Sequence, residues 1–372
     1  MTKSFPDSPE RTRFLIVGGG LAGLLLAWRL REFRPIVLGG TTLSPASDVS
    51  AGVLNPVTGG RLTLMEDFAA FASSARELYR AIPGGNQHFH ETTIRRYFVN
   101  ELEIERYEER KQIPHYRAHL GKRLAPGEHG PAGKDPLGSF FIHGVARVEP
   151  VPILAAIRRE LGDRYWATDA DWGSLEESKT GIRLNGIEAD SVICCEGVGV
   201  VANPFFRWLP FRPVKGETLT VHCPDVPDFA PIIHHEKWII PLGNKTFRIG
   251  STYRRGSHRK EGVEADPTPP IAQPSEEGRQ ELLTSFKMIF SLKHAPKILD
   301  HRAGTRPCSR DRIPYVGPHP KHPKLLILNG LGSKGALLAP LHSQQLADSL
   351  INGDPIPDDI NPKRMISRGF IP

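Results

Sequence analysis

Apolar positions first cluster at Arg13–Val17 (RFLIV), a run that ends in GGGLAG, continues with helical spacing over Leu24–Phe33 and returns as a second apolar run at Pro35–Leu38. Strand, glycine turn, helix and strand in that order is the first half of a βαβ dinucleotide unit. Residues 66–81 (EDFAAFASSARELYRA) read as an amphipathic helix, Val151–Leu161 as another, and Val192–Cys195 as a buried strand ending at Glu196 and Gly197. Between about 212 and 253 the pattern becomes β-rich, with LTVHC, KWIIP and TFRIGSTY. Residues 277–292 again read as helix, Leu325–Leu328 as strand and Ala336–Ile351 as helix. Pro/Gly-rich 126–138 and polar 254–276 read as loops, and no internal repeat is present. Dinucleotide-type signals thus come at three separated places. The pattern predicts an α/β protein whose cofactor domain is discontinuous (11–82, 143–205 and 300–372), with a β-rich α+β substrate domain (83–142 and 206–299) inserted in it.

Composition narrows the class. A chain of 372 residues is long enough for two units and a buried cofactor, and 36 glycines with 34 prolines punctuate turns without reaching a low-complexity composition. The four cysteines form no CxxC pair, and adjacent Cys194 and Cys195 point to opposite faces of a strand, so neither a disulfide framework nor a zinc site is expected. His88 and His90, or His115 and His119, lack the HExxH context of a metal site; no metal is expected. There is no GxSxG elbow for a serine hydrolase. The first residues carry no signal-peptide pattern and no apolar run is long enough to span a bilayer, which predicts a cytoplasmic protein without membrane contact. The net charge of +7 allows an anionic partner, but the basic residues are scattered apart from a short cluster at Arg254, Arg255, His258, Arg259 and Lys260.

The chemistry begins at Gly18, Gly20 and Gly23, which match GxGxxG between a predicted strand and helix. The first glycine permits a tight turn, the second lets backbone approach a pyrophosphate, and the third allows close helix packing; Leu21 and Ala22 open the helix whose N–H groups face the anion. One part is missing. The acidic residue that ordinarily ends the second strand and binds ribose hydroxyls is replaced by Gly39 and Gly40, leaving Thr41, Thr42 or backbone groups as the expected substitutes. The glycine motif by itself does not separate NAD from FAD.

Further motifs do: SAGVLNPVTGGR (50–61), RVEP (147–150), CEG (195–197), PVKGE (213–217), WIIPLGNKTFRIGSTY (238–253), AGTRPCSRDRIPYVGP (303–318) and LNGLGSKGALLAP (328–340). In order and spacing the chain from about 13 to 364 resembles the D-amino acid oxidase-like flavoprotein superfamily, which includes glycine oxidase and sarcosine oxidase. The GSKGALLAP segment is most similar to the oxidoreductase domain of the bifunctional enzyme that modifies the tRNA wobble uridine. Residues 85–140 match none of these motifs.

The resemblance implies FAD, with Ser50, Ala51 and Gly52 beside the flavin and pyrophosphate, Val148 of RVEP and Gly304 against the cofactor, and Gly197 approaching it from the third cofactor strand. Gly332, Ser333, Lys334 and Gly335 would open a helix toward the flavin, where N–H groups and the Lys334 ammonium stabilise negative charge on the reduced ring. Arg306, in TRP, matches the arginine that grips the substrate carboxylate; Asp311 is the alternative, purely structural, partner for it. Tyr253 and Trp238 are candidate pocket walls. Cys308 stands at a different offset from Asp311 than the covalent cysteine of sarcosine oxidases, so FAD is expected to be non-covalent. The activity implied is oxidation of the C–N bond of a small carboxylate-bearing amine, by hydride transfer to flavin N5 and hydrolysis of the imine. Removal of a carboxymethyl group from a modified tRNA wobble uridine is the alternative, and a non-catalytic flavin binder the second. The amine, the electron acceptor and the oligomeric state stay open.

Overall fold

The computed structural model describes residues 10–41, 46–127, 134–179, 181–255 and 272–372. Most of the predicted loop 254–276 and the Thr42 position lie outside them.

Two sheets organise the chain. The first carries the parallel strands Tyr165–Trp166, Ile36–Leu38, Arg11–Val17, Ile187–Cys194 and Leu325–Asn329 side by side. In chain order that is 3-2-1-4-5, the doubly wound arrangement whose ligand crevice lies at the carboxyl ends of the strands. Both faces are covered, which is why these strands read as unbroken apolar runs. Phe14 and Ile16 enter one core with helices Leu21–Arg29, Pro150–Leu161 and Gly335–Asn352. Leu15 and Val17 enter the core on the other face, with Ile182, Phe206 and Tyr315. Cys194 and Cys195 fall in these two opposite cores, and all four cysteines are free.

The second sheet has ten strands and is mainly antiparallel, running from Lys297–Arg306 through Val214–His222, Thr246–Gly250, Lys237–Gly243 and Ile232–His235 to Phe89–Tyr97 and Ser139–Val148. Alternation is clean in its central strands. The cross-strand row Ile233, Ile239, Ile249 and Leu219 faces the helix Glu276–Ile289 and packs with Leu282 and Phe286. Its neighbours His234, Trp238, Gly250 and Thr218 form the row on the opposite face.

The first helix spans Leu21–Arg29, earlier than its apolar spacing suggests, and a separate turn of 3-10 helix covers Arg31–Phe33. The expected divisions at 143 and 300 fall inside strands Ser139–Val148 and Lys297–Arg306, both continuous members of the second sheet. The strand leading to Gly197 is the fourth of the parallel set, because the short Tyr165–Trp166 strand comes before it in the chain. Residues 85–140, silent in the motif comparison, supply strands Phe89–Tyr97 and Leu120–Leu124 and the helix Glu101–Gln112, capped by Asn100. No helix among the described residues is long and apolar enough to cross a membrane.

Candidate cofactor and substrate site

A cavity of about 830 Å³ runs along the carboxyl ends of the parallel strands and under the second sheet. Gly18 opens it with φ +121°, and a Cβ there would overlap the Cys195 carbonyl oxygen. A Cβ on Gly23 would overlap the Gly18 carbonyl oxygen in the same way. Both glycines are required by shape, as a dinucleotide turn demands. Gly20, Leu21 and Ala22 line the cavity. The Leu21 N–H donates to Ser47 Oγ at 3.0 Å, so the anion-facing donors are those that follow it in the first turn.

Ser50, Ala51 and Gly52 line the cavity, and Gly52 (φ +68°) is pressed against the Val148 carbonyl, where a Cβ could not fit. Val148 itself is buried and outside the cavity lining; its N–H donates to Gly52 O at 2.9 Å, so it supports the turn from behind. Thr41 is likewise absent from the lining and is turned toward Asp169. Gly197 (φ +58°) has open space where a side chain would stand, and its carbonyl accepts from Asn329 Nδ2 at 2.9 Å. Gly304 lines the cavity next to Val49.

Gly332, Ser333, Lys334 and Gly335 join the lining at the start of the last long helix. Burial, and then the nearby Arg312, push the half-buried Lys334 ammonium below its ordinary pKa. No carboxylate among the described residues pairs with it. A helix start and an ammonium converge here on one end of the cavity, an arrangement that favours negative charge. Glu196 also lines the cavity. Burial raises its pKa to about 7, only partly offset by hydrogen bonds from Asn203 Nδ2 (2.7 Å) and Trp172 Nε1 (3.0 Å).

The wall belonging to the second sheet is built by register. Arg96, His234, Trp238, Gly250 and Thr218 stand in one row across neighbouring strands, which lie about 4.8 Å apart. Gly250 leaves room for the Trp238 indole, whose ring edge would meet any Cβ placed there. Arg96 is neutralised by Glu103, to which its Nε donates at 3.0 Å, and it holds the Gly59 carbonyl at 3.1 Å. Burial, reinforced by Arg96, keeps His234 well below the usual histidine pKa, so this part of the wall is polar but neutral.

Arg306 is the charge left over. Its side chain lies over Gly216, where a Cβ would overlap the guanidinium. Its Nη2 donates to Ser251 Oγ at 2.6 Å, and the Thr252 and Lys215 carbonyls lie at 3.4 Å. The half-exposed Tyr253 ring stands 5.7 Å from the guanidinium carbon. Asp311, the alternative partner, is occupied elsewhere, with Arg364 at 3.2 Å and Arg368 at 2.9 Å. Among the described residues no carboxylate pairs with Arg306. A partly buried guanidinium held by neutral oxygens retains its fork for an anion brought by a ligand.

The structure therefore brings together Gly20, Leu21, Ala22, Ser50, Ala51, Gly52, Gly197, Tyr253, Gly304, Arg306 and the 332–335 turn. Sequence reasoning missed Gly216 and Ser251, which aim Arg306, and Thr168, Asp169, Ala170 and Trp172, which line the end near Gly39. Among the described residues no His, Cys, Asp or Glu group is arranged to hold a metal ion.

Comparisons with known proteins bear on the family and the fold. A sequence-family model described as DAO, FAD dependent oxidoreductase, matches residues 13–349. A glycine oxidase of Bacillus licheniformis is 25% identical over 93% of this chain and 95% of its own length. The tRNA 5-methylaminomethyl-2-thiouridine biosynthesis bifunctional protein of Azoarcus sp. (strain BH72) is 25% identical over 98% of this chain but only 61% of itself. Among solved structures, glycine oxidase from Geobacillus kaustophilus superposes with a TM-score of 0.76 at 20% identity, covering 94% of this chain and 97% of that one.

Proposed function

The chain belongs to the DAO family of FAD dependent oxidoreductases, and from that premise we propose that it oxidises the C–N bond of a small amine or amino acid bearing a carboxylate, with FAD held non-covalently. The observation that carries this reading is Arg306: a guanidinium facing the cavity, supported among the described residues by neutral oxygens and flanked by Tyr253.

The residues present fit FAD. The glycine turn excludes side chains where the pyrophosphate would lie, and the Gly332–Gly335 turn and Lys334 offer positive potential elsewhere in the lining. When bound, FAD supplies the two-electron acceptor for a hydride leaving the carbon next to nitrogen. The protein's own part is orientation. Arg306 makes two parallel bonds to the carboxylate and so fixes both the position and the rotation of the substrate. Trp238, Ile94 and Ile232 supply apolar wall and limit water around the reacting carbon. Oxidation of the amine gives an imine, which water hydrolyses to a carbonyl compound and a free amine or ammonia. His234, neutral and in the wall, offers a hydrogen-bonding group without charge.

The test is anaerobic bleaching of the bound flavin by a panel of glycine, D-amino acids, N-methyl amino acids and N-carboxymethyl amines. Reduction by at least one carboxylate-bearing amine, and not by the matching amine lacking the carboxylate, is expected. Failure of every member would leave a flavin binder without this chemistry.

A second reading, removal of a carboxymethyl group from a modified tRNA, is favoured by the similarity to the tRNA-modifying bifunctional proteins and by the net charge of +7. Arg306 would serve there unchanged. Steeply salt-dependent tRNA binding, together with flavin reduction by modified tRNA but by no free amine, would select it.

A further inference from the structure

We propose that Asp169 is the carboxylate that receives the ribose hydroxyls of the adenosine half of the cofactor, delivered from the segment after the third parallel strand instead of from the end of the second. The inference rests on the FAD reading above and adds a residue to it.

The second strand, Ile36–Leu38, ends in Gly39 where a ribose-binding acid ordinarily stands. In the structure the place of that acid is taken. The Tyr165 ring lies directly over Gly39, and a Cβ on residue 39 would overlap its hydroxyl and ring carbons. The same Tyr165 hydroxyl also crowds Gly19 in the phosphate turn. The space an acidic side chain would use is filled from the neighbouring strand.

That neighbouring strand also brings a replacement. Gly39 N–H donates to Trp166 O at 2.7 Å and Gly40 N–H to Thr168 O at 2.9 Å, so the chain after Tyr165 runs alongside the glycine pair. Three residues past Trp166, the Asp169 carboxylate arrives beside Gly40, with Oδ1 at 3.2 Å from where a Gly40 Cβ would be. Thr41 fixes it there, through its Oγ1 to Oδ2 at 2.7 Å and its N–H to the two oxygens at 3.2 and 3.3 Å. Asp169 is solvent-exposed and lines the cavity, whereas Thr41 does not line it. The threonine thus serves as a brace for the carboxylate. Glu196, the other acid among the described residues that line the cavity, follows the fourth parallel strand instead of flanking Gly40. Hydrogen bonds from ribose hydroxyls to a carboxylate are charge-assisted and stronger than those a threonine or backbone group would make.

The experiment is titration of the apoprotein with FAD, followed by flavin fluorescence, with ADP and 2′-deoxy-ADP as competitors. Asp169→Asn should weaken FAD by about tenfold and remove the preference for ADP over 2′-deoxy-ADP that the wild-type protein shows. Thr41→Val, which removes the brace and keeps the carboxylate, should fall between the two. Wild-type FAD affinity in Asp169→Asn, or a loss that leaves the ADP preference intact, would overturn the assignment while leaving the flavin reading in place. A wild-type protein that takes up no FAD would instead remove the flavin reading and this inference with it.

Discussion

The Arg306 guanidinium donates to Ser251 Oγ at 2.6 Å while lying over the Cα of Gly216, so its direction is set by one hydroxyl and one missing side chain. Gly216→Ala should displace the guanidinium without touching the glycine turn at Gly18. The expected result is full flavin content with kcat/KM lowered at least tenfold, about 1.4 kcal/mol in barrier. Ser251→Ala should do the same more mildly. Unchanged kinetics in Gly216→Ala would show that the contact does not orient the substrate.

Arg306→Lys keeps the charge and loses the fork. Flavin content should be retained, and kcat/KM on the carboxylate-bearing amine identified by bleaching should fall by about 2–4 kcal/mol equivalent. Wild-type rates in this variant would return Arg306 to a structural role.

Gly18→Ala places a methyl group on a residue at φ +121° and into the Cys195 carbonyl. Both strain and overlap oppose it, at a cost of about 2 kcal/mol or more. The purified variant should be colourless and should not take up added FAD, read by absorbance after gel filtration. Normal yellow protein would contradict the tight junction between the first and fourth strands.

Lys334→Met removes the ammonium facing the flavin end of the cavity while preserving length. The bound flavin should become harder to reduce, seen as a lower midpoint potential and slower anaerobic bleaching. Burial has already moved Lys334 below its ordinary pKa, so in the wild-type protein this stabilisation should fade as pH rises, and earlier than for a free lysine. A potential identical to wild type across pH would exclude the role.

Glu196 gives a stability test with a defined sign. Its folded pKa of about 7 lies above the ordinary 4.5, so the folded protein holds the proton more tightly. The associated stability is fully present below pH 4.5 and is lost as pH rises through 7, by about 1–3 kcal/mol. Glu196→Gln should flatten this part of the Tm-against-pH curve and be more stable than wild type at pH 8. A variant with the wild-type slope would locate the dependence elsewhere.

The parallel sheet and its phosphate turn were legible in the sequence because their signals are local: Arg13–Val17, the glycines that follow, and the helix start lie within a few residues of one another. Arg306 was singled out through its motif, and the structure places it in the cavity lining. What was hidden depends on partners distant in the chain. Gly216 matters because of Arg306, Gly39 because of Tyr165, and Thr41 because of Asp169, each pair brought together only by strand packing. Strand Phe89–Tyr97 was hidden for a different reason: its buried residues include Arg95 and Arg96, on opposite faces, whose charges are balanced by Asp135 and Glu103, so its burial leaves little apolar alternation to read.

In the first sheet Val17 pairs with Cys194, and Val192 with Leu325. Its central strand therefore waits for a neighbour made much later, and the sheet is completed only after Lys297–Arg306, at the edge of the other sheet, has been synthesised. Such non-local pairing is slow to form and leaves apolar strand edges open in the meantime. During translation the nascent chain would carry its nucleotide turn on an unfinished sheet, and the chain through Asn329 must leave the ribosome before the halves can close around a ligand.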